Sequence, residues 1–384
     1  MADNKDKKVL NVPALRFPEF NGEWITRPIK DIADFIGGGT PSSANEAYWQ
    51  GTIPWVSSSD IVEDNINDIT ISRYITEEAI SNSATKLCSA PVILIVSRVG
   101  VGKVALSSKA ICTSQDFCNL INIKVHPTFL AYSLSQIMKR KSIEVQGTSI
   151  KGITSLEIQK IILHIPSLQE QHKISDLFQL IDKRIAVQSK IIEDLRLLRD
   201  AISVCLLSPK SDWKCYKVSE IADIGRGRVI SSKEIANQNN PRYPVYSSQT
   251  SNEGIMGYLD DYAFDGEYIT WTTDGANAGT VFYRNGCFNC TNVCGTLKLH
   301  YQFDAYYCSL VLANATKKYV SANLANPKLM NNTMAAIKLY LPPFQEQKRM
   351  AQLFRKMDEN ITLEHKLLLS YQKQKHYLLQ QIFI

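Results

Sequence analysis

Two stretches of the chain set apolar residues at helical spacing, and each is a copy of the other. In the first, Ile174, Leu177, Phe178, Ile181 and Ile185 fall at i, i+3, i+4, i+7 and i+11, and Met350, Leu353, Phe354, Met357 and Ile361 repeat the pattern. That spacing lays one apolar stripe along a helix. Related segments lead in, Ile165-Pro166-Ser167-Leu168-Gln169-Glu170-Gln171 and Leu341-Pro342-Pro343-Phe344-Gln345-Glu346-Gln347, at an offset of 176 residues (341 against 165). Proline just before a helix has no N–H to lose and a φ already suited to the first turn. The first pattern continues through Gln188, Ile191, Leu195, Leu198 and Ile202 to Ser208-Pro209-Lys210, the second through Leu367, Leu368, Tyr371 and Leu378. About 40 helical residues make a rod of roughly 60 Å at the α-helical rise. The heptad-like spacing predicts a coiled-coil pair held by Ile174, Leu177, Ile181, Leu195 and Leu198 with Met350, Leu353, Met357, Leu367 and Tyr371. Antiparallel pairing is expected, in a direction that sequence does not fix.

A second repeat opens each half. Trp24 and Trp213 precede Ile29-Lys30-Asp31-Ile32-Ala33-Asp34-Phe35 and Val218-Ser219-Glu220-Ile221-Ala222-Asp223-Ile224, an offset of 189 (213 against 24). The larger offset means that the first intervening region carries about 13 residues more than the second (189 against 176). Between the duplicated ends lie two middles of little mutual similarity, both rich in short β-branched and aromatic runs broken by Gly, Asn, Asp and Ser, which read as strands and turns. Pro91–Ser97, Lys103–Leu106, Tyr268–Trp271 and Thr280–Tyr283 are strand candidates, and Pro127–Lys139 and Asp304–Ala313 helix candidates. The expected fold is therefore α+β: two α/β domains with mixed β-rich cores, separated by two long helices, in a pseudo-two-fold repeat. The boundaries fall at 1–23 for an N-terminal segment, 24–164 and 210–340 for the domains, and 165–209 and 341–384 for the helices.

Composition narrows the class only a little. The chain of 384 residues is 45% hydrophobic and 21% charged, and no apolar run reaches the roughly 18 residues that a membrane span needs. Met1–Lys8 is charged and lacks the apolar core of a secretory signal, so a soluble cytoplasmic protein is expected. Nine cysteines scattered from Cys88 to Cys308 then read as reduced thiols. A net charge of +6 is compatible with a polyanionic partner without requiring one.

Loop chemistry is more pointed. The first middle offers Gly37-Gly38-Gly39-Thr40-Pro41-Ser42-Ser43, Trp55-Val56-Ser57-Ser58-Ser59-Asp60 and Ser97-Arg98-Val99-Gly100-Val101-Gly102-Lys103. The second offers Gly225-Arg226-Gly227-Arg228, Tyr246-Ser247-Ser248-Gln249 and Thr272-Thr273-Asp274-Gly275-Ala276-Asn277. Glycine admits close backbone approach to phosphate, Arg and Lys supply phosphate charge or read guanine, and Asn or Gln reads adenine. Any one such loop is more often an ordinary turn, and the place of these in a duplicated plan is what marks them. The DNA-contact candidates are Thr40, Ser42, Ser57, Ser58, Arg98 and Lys103, then Arg226, Arg228, Ser247, Ser248, Thr273 and Asn277.

Over nearly its whole length the sequence resembles the specificity subunits of type I restriction-modification systems. The resemblance is carried by the two Pro-x-x-Gln-Glu-Gln segments with their helices, Phe17-Pro18-Glu19-Phe20 to Trp24, Gly39-Thr40-Pro41-Ser42 with Ile53-Pro54-Trp55-Val56, Arg98–Gly102, and Tyr243-Pro244-Val245-Tyr246 through Gly254-Ile255-Met256-Gly257-Tyr258. It implies that each middle is a target-recognition domain reading one half of a split double-stranded DNA site, and that the helices set the spacing. It also implies docking of two methyltransferase subunits and of restriction/translocase subunits, with S-adenosylmethionine, ATP and Mg held by those partners and no cofactor, metal or catalytic residue in this chain.

Three motifs tempt and fail. Leu341-Pro342-Pro343-Phe344 has leucine where an amino-methyltransferase needs Asn or Asp, and Gly100-Val101-Gly102-Lys103 lacks the first glycine and the hydroxyl of a phosphate loop. Cys287, Cys290 and Cys294 with His300 offer enough zinc ligands on paper, but the segment reads as strand. The competing functions are a one-chain methyltransferase or nuclease, which would need a cofactor loop, and a non-DNA scaffold of two β-rich domains on a coiled coil. DNA affinity that falls steeply with salt separates the scaffold from a DNA reader.

Overall fold

A computed structural model describes residues 11–146, 152–321 and 326–384. It divides into two compact units, one reaching to Lys190 and including Lys366–Ile384, the other Ile191–His365. The division crosses the five linear segments expected above, because each long helix, the central one (Leu168–Leu206) and the C-terminal one (Phe344–Ile382), gives one part to each unit.

In the first unit Val92–Val96 is buried at every position. Alternation then assigns its two faces: Ile93 and Ile95 join the core with Leu120, Phe129, Leu134 and Phe178, while Val92, Leu94 and Val96 join Val56, Ala105 and Phe117 in a second cluster. The strand sits inside a four-stranded antiparallel sheet ordered Asp34–Gly37, Phe117–Ile121, Val92–Val96, Val104–Ser107. A second sheet is mixed, since Ile53–Val56 runs antiparallel to Arg73–Ile75 and parallel to Ile111–Thr113. Ile25–Pro28 pairs with Ile162–Ile165 to close the domain next to the central helix, and Pro127–Gln146 is helical as expected.

The second unit repeats this topology. Its main sheet is ordered Ala222–Arg226, Cys294–Leu299, Tyr268–Thr272, Val281–Arg284, its mixed sheet sets Tyr243–Tyr246 parallel to Asn289–Cys290, and Lys214–Lys217 pairs with Lys338–Leu341. The two middles that share so few letters share one fold. Their length difference is local: Val56 corresponds to Tyr246 and Val96 to Thr272, so the surplus lies between residues 57 and 96, where Ile255–Leu259 of the second domain takes the place of Arg73–Ile75, and the first domain adds the helix Glu77–Ser81 and has the strand Leu87–Cys88 where the second has a single bridge, Phe264 to Phe288.

The repeated lead-in has a structural use. Gln171 Nε2 donates to the Pro166 carbonyl (2.9 Å) and its Oε1 accepts from His126 N (2.8 Å). Gln347 does the same with the Pro342 carbonyl (2.8 Å) and Asp304 N (3.1 Å). One buried carboxamide thus satisfies both the helix lead-in and the start of the domain's own helix.

The repeated aspartates lock the helices to each other. Asp182 accepts from Tyr132 Oη (2.6 Å) and pairs with Lys375 (2.5 Å), and Asp358 accepts from Tyr306 Oη and pairs with Arg199. In each unit an early residue of one helix meets a late residue of the other, so the pair runs antiparallel. Of the expected seam residues, Ile174, Leu177, Ile181, Leu195, Met350, Met357 and Tyr371 are buried or half-buried. Leu198, Leu353 and Leu367 are not part of it, being 52%, 42% and 38% exposed. Ile192, Phe354 and Leu379 are buried on these helices instead, and polar contacts such as Arg184 over the Tyr371 ring (4.9 Å) replace a strict apolar heptad.

His126 and His172 lie ring to ring at this junction (4.3 Å), with His126 Nδ1 2.8 Å from Ser175 Oγ. Burial, then the charge of His172, lowers the His126 pKa below its ordinary 6.5, against Asp176. The unfolded chain therefore binds the proton first, and stability falls as pH drops through 6.5 toward the lower folded value. In urea unfolding of the intact protein, His126→Asn should flatten the slope of stability against pH in that window.

Candidate nucleic-acid interface

In both domains the loops converge on one tight turn. In the first, the turn runs from Ser114 to Phe117, closed by Phe117 N to the Ser114 carbonyl (3.3 Å). Ser114 N donates to the Val56 carbonyl (2.9 Å), Gly39 N to the Thr113 carbonyl (2.8 Å), and Ser97 N to the Asp116 carbonyl (2.8 Å). The loops carrying Thr40, Ser57 and Arg98 are thus bound to the same point. Backbone hydrogen bonds bring them together, and the Ser97 hydroxyl adds one to the Asp116 carbonyl (3.0 Å).

The glycines serve this convergence. A Cβ at Gly38 would lie 2.0 Å from the Ser114 carbonyl oxygen, and one at Gly39 2.3 Å from the Ala84 carbonyl carbon. At Gly227 it would lie 2.1 Å from the Cys290 carbonyl oxygen. What approaches these glycines is the protein's own backbone, where the sequence had suggested phosphate.

Thr40 is exposed and its hydroxyl donates to Gln115 Oε1 (2.5 Å). Arg98 is exposed, without an ion pair among the described residues, and with Gln115, Gly37, Gly38 and Thr154 lines a groove of about 910 Å³. Ser57 is already engaged: Arg73 donates to its Oγ (2.6 Å), and its hydroxyl donates to Asp60 (2.9 Å). Burial works against the Asp60 carboxylate, but the Ser57 N–H and hydroxyl and Arg73 outweigh it and hold its pKa below the ordinary value. Lys103 is a brace, donating to the Ser58 and Ile61 carbonyls (3.3 and 3.0 Å), which leaves Ser58 joined to it through the main chain. Ser42 is exposed and stands apart, its carbonyl accepting from Trp49 Nε1 (3.2 Å).

In the second domain the turn runs from Thr291 to Cys294, with Cys294 N on the Thr291 carbonyl (2.9 Å), Thr291 N on the Tyr246 carbonyl (2.8 Å) and Thr273 N on the Val293 carbonyl (2.9 Å). Arg226 reaches the Asn292 carbonyl (2.5 Å) and Thr273 Oγ1 (3.0 Å). Thr273 is fully buried, so it holds Arg226 and cannot itself meet a base. Asn277 donates to the Ser248 carbonyl (3.1 Å), and Ser247 Oγ accepts from Thr291 (3.3 Å). Arg228 pairs with Glu234 (2.5 Å); their hydrogen bond raises the pKa of the arginine and lowers that of the carboxylate.

Cys290 and Cys294 are buried strand residues whose thiols burial pushes up, Cys294 to about 11, and Cys287 lies beside Asp265 (3.4 Å). A zinc ligand must be a thiolate, so this surrounding works against the site that the spacing permits. Among the described residues no helix is long and apolar enough to cross a membrane.

A duplicated recognition scaffold, with one loop cluster built on the same turn in each of two domains, is the class of protein that this fold and site define. The sequence matches the type I restriction modification DNA specificity domain twice, over residues 21–197 and 210–370, and the chain belongs to that family. It is 47% identical over 140 residues to a Mycoplasma pneumoniae protein named for the N-terminus of a type I specificity subunit, covering 36% of this chain and 74% of that one. It is 42% identical over 143 residues to the specificity subunit of the type I restriction enzyme MpnII from the same organism, covering 37% and 42%. With such relatives the shared stretch spans from 40% to 82% of their length. The fold is that of the S subunit of a type I restriction-modification system from M. genitalium, with a TM-score of 0.66, 19% identity, and 97% and 99% of the two chains covered.

Proposed function

We propose that this chain is the DNA-recognition subunit of a type I restriction-modification complex, each domain reading one half of an asymmetric, two-part site. The observation that carries this is the pair of loop clusters: one scaffold turn, built twice, presents Thr40, Gln115 and Arg98 in one domain and Arg226, Asn292 and Asn277 in the other. A repeated frame suits two half-sites, and unlike side chains make the halves different. In this reading the paired helices set the spacer and dock two methyltransferase subunits, a restriction/translocase subunit can join, and catalysis, S-adenosylmethionine, ATP and Mg belong to those partners. Of the loop residues, Arg98 and Arg226 stand exposed to DNA, Arg226 while also holding the Asn292 carbonyl, whereas Lys103 and Thr273 position the loops and Arg228 works only if DNA displaces Glu234.

Co-expression with the partner methyltransferase in a host without modification, followed by genome-wide mapping of methylated adenines, tests the reading. A bipartite motif that disappears without this chain is expected. A stable complex that leaves the genome unmodified, or DNA binding indifferent to salt, would overturn it. Arg98→Ala and Arg226→Ala should each weaken binding of the methyltransferase complex to its site by about 1–3 kcal/mol, in a mobility-shift titration at fixed salt.

A further inference from the structure

The two tight turns agree in backbone more closely than in sequence. Ser114-Gln115-Asp116-Phe117 and Thr291-Asn292-Val293-Cys294 form the same closing hydrogen bond and receive the same two neighbours, the chain after Val56 or Tyr246 and the chain at Ser97 or Thr273. At the second position of each turn stands an exposed carboxamide, while the third position changes from Asp to Val. Asparagine is favoured in turns for its local hydrogen bonds, but glutamine is not, and no side-chain hydrogen bond of Asn292 is found among the described residues. Turn propensity therefore does not account for the coincidence.

We propose that Gln115 and Asn292 are equivalent base-reading positions, each recognising an adenine in its own half-site. A carboxamide presents one donor beside one acceptor, the complement of adenine N6 and N7 in the major groove. The two are held differently. The Thr40 hydroxyl fixes Gln115 through Oε1 (2.5 Å), leaving a second lone pair on that oxygen and both Nε2 hydrogens without partners among the described residues. In the other domain Arg226 clamps the main chain of Asn292 (2.5 Å) and is itself steadied by Thr273 (3.0 Å). The amide of Gln115 is thus preset and gives up less rotamer freedom on binding than a mobile one, while at Asn292 it is the position of the backbone that is fixed. The inference rests on the DNA-reading function above and assigns one A·T pair in each half-site to a named residue.

The test uses the full chain with its methyltransferase partner and a set of duplexes carrying the mapped site with each base pair replaced singly. For wild type, replacing the read A·T pair should weaken binding about 5- to 150-fold, the range for one bidentate contact. Gln115→Ala should abolish that discrimination at a single A·T pair of one half-site and leave the other half-site unchanged. Asn292→Ala should do the reverse. Gln115→Glu should move the preference at that position toward C·G, because a carboxylate accepts from cytosine N4. Discrimination unchanged in both alanine variants, relaxed at a G·C pair, or lost over both half-sites together would overturn the assignment while the DNA-reading function stands. A wild-type complex with no base preference at all would overturn both.

Discussion

Replacing Asp182 by alanine is expected to destabilise the first unit by about 3–5 kcal/mol, because it strands a buried ammonium. Asp182 and Lys375 are each 9% exposed and lie 2.5 Å apart. Without the carboxylate Lys375 keeps, among the described residues, the neutral Asp64 carbonyl (2.9 Å) as its acceptor, and the Tyr132 hydroxyl and Asn67 amide lose their acceptor too. Urea titration monitored by circular dichroism measures the loss, and the double change Asp182→Ala with Lys375→Met should recover most of it. The counterpart Asp358→Ala should be milder, on the order of 1 kcal/mol, because Arg199 and Asp358 are 24% and 39% exposed and water screens what remains. Equal losses at the two positions would show that burial does not govern these clamps.

Phe178→Ala and Phe354→Ala, one repeat apart, should each cost about 3–5 kcal/mol by leaving a cavity in a closed core. Both side chains are fully buried. Phe178 packs between Tyr132 (5.0 Å) and Phe383 (5.8 Å), and Phe354 lies in the core of the second unit under the Arg199 guanidinium (5.8 Å). For units of this size the melting temperature of the affected transition should drop by roughly 6–20 °C in a calorimetric scan. Phe→Leu at either site should recover more than half, since most of the volume returns. A drop below about 2 °C for both alanine variants would mean that these cores collapse around the gap.

Much of the architecture was legible because it rests on local rules. Apolar spacing of 3.6 residues marks the two long helices, the same letters recur at one offset, and Pro-x-x-Gln-Glu-Gln marks where each helix begins. The repeat also announced that the ends of the two halves match. The continuous apolar run Val92–Val96 and the β-branched and aromatic run Tyr268–Trp271 read as strands from their residue types.

The common fold of the two middles was not legible, and the reason is physical. One face of the first domain's sheet is largely apolar, with Val92, Leu94, Val96 and Phe117 around the buried amide of Asn119. The matching face in the second is polar: Thr270, Thr272 and Thr296 are buried, and Arg284, whose pKa burial lowers, bonds to Thr270 (3.3 Å) and lies 3.5 Å from the Tyr246 ring centre. Backbone hydrogen bonds fix the topology in both, so either filling is admissible and the letters diverge.

The candidate site divides along the same line. Sequence alone determined the residue types available to the loops, and named twelve of them as DNA-contact candidates, Lys103, Thr273 and Arg228 alongside Thr40, Arg98, Arg226 and Asn277. Only the tertiary structure decided that Lys103 braces carbonyls, that Thr273 is buried behind Arg226, that Arg228 is paired, and that Gln115 and Asn292 stand at one equivalent turn. A side chain's type is written in its codon position, but whether its polar atoms are satisfied by the protein or left for a partner depends on contacts between residues far apart in the chain.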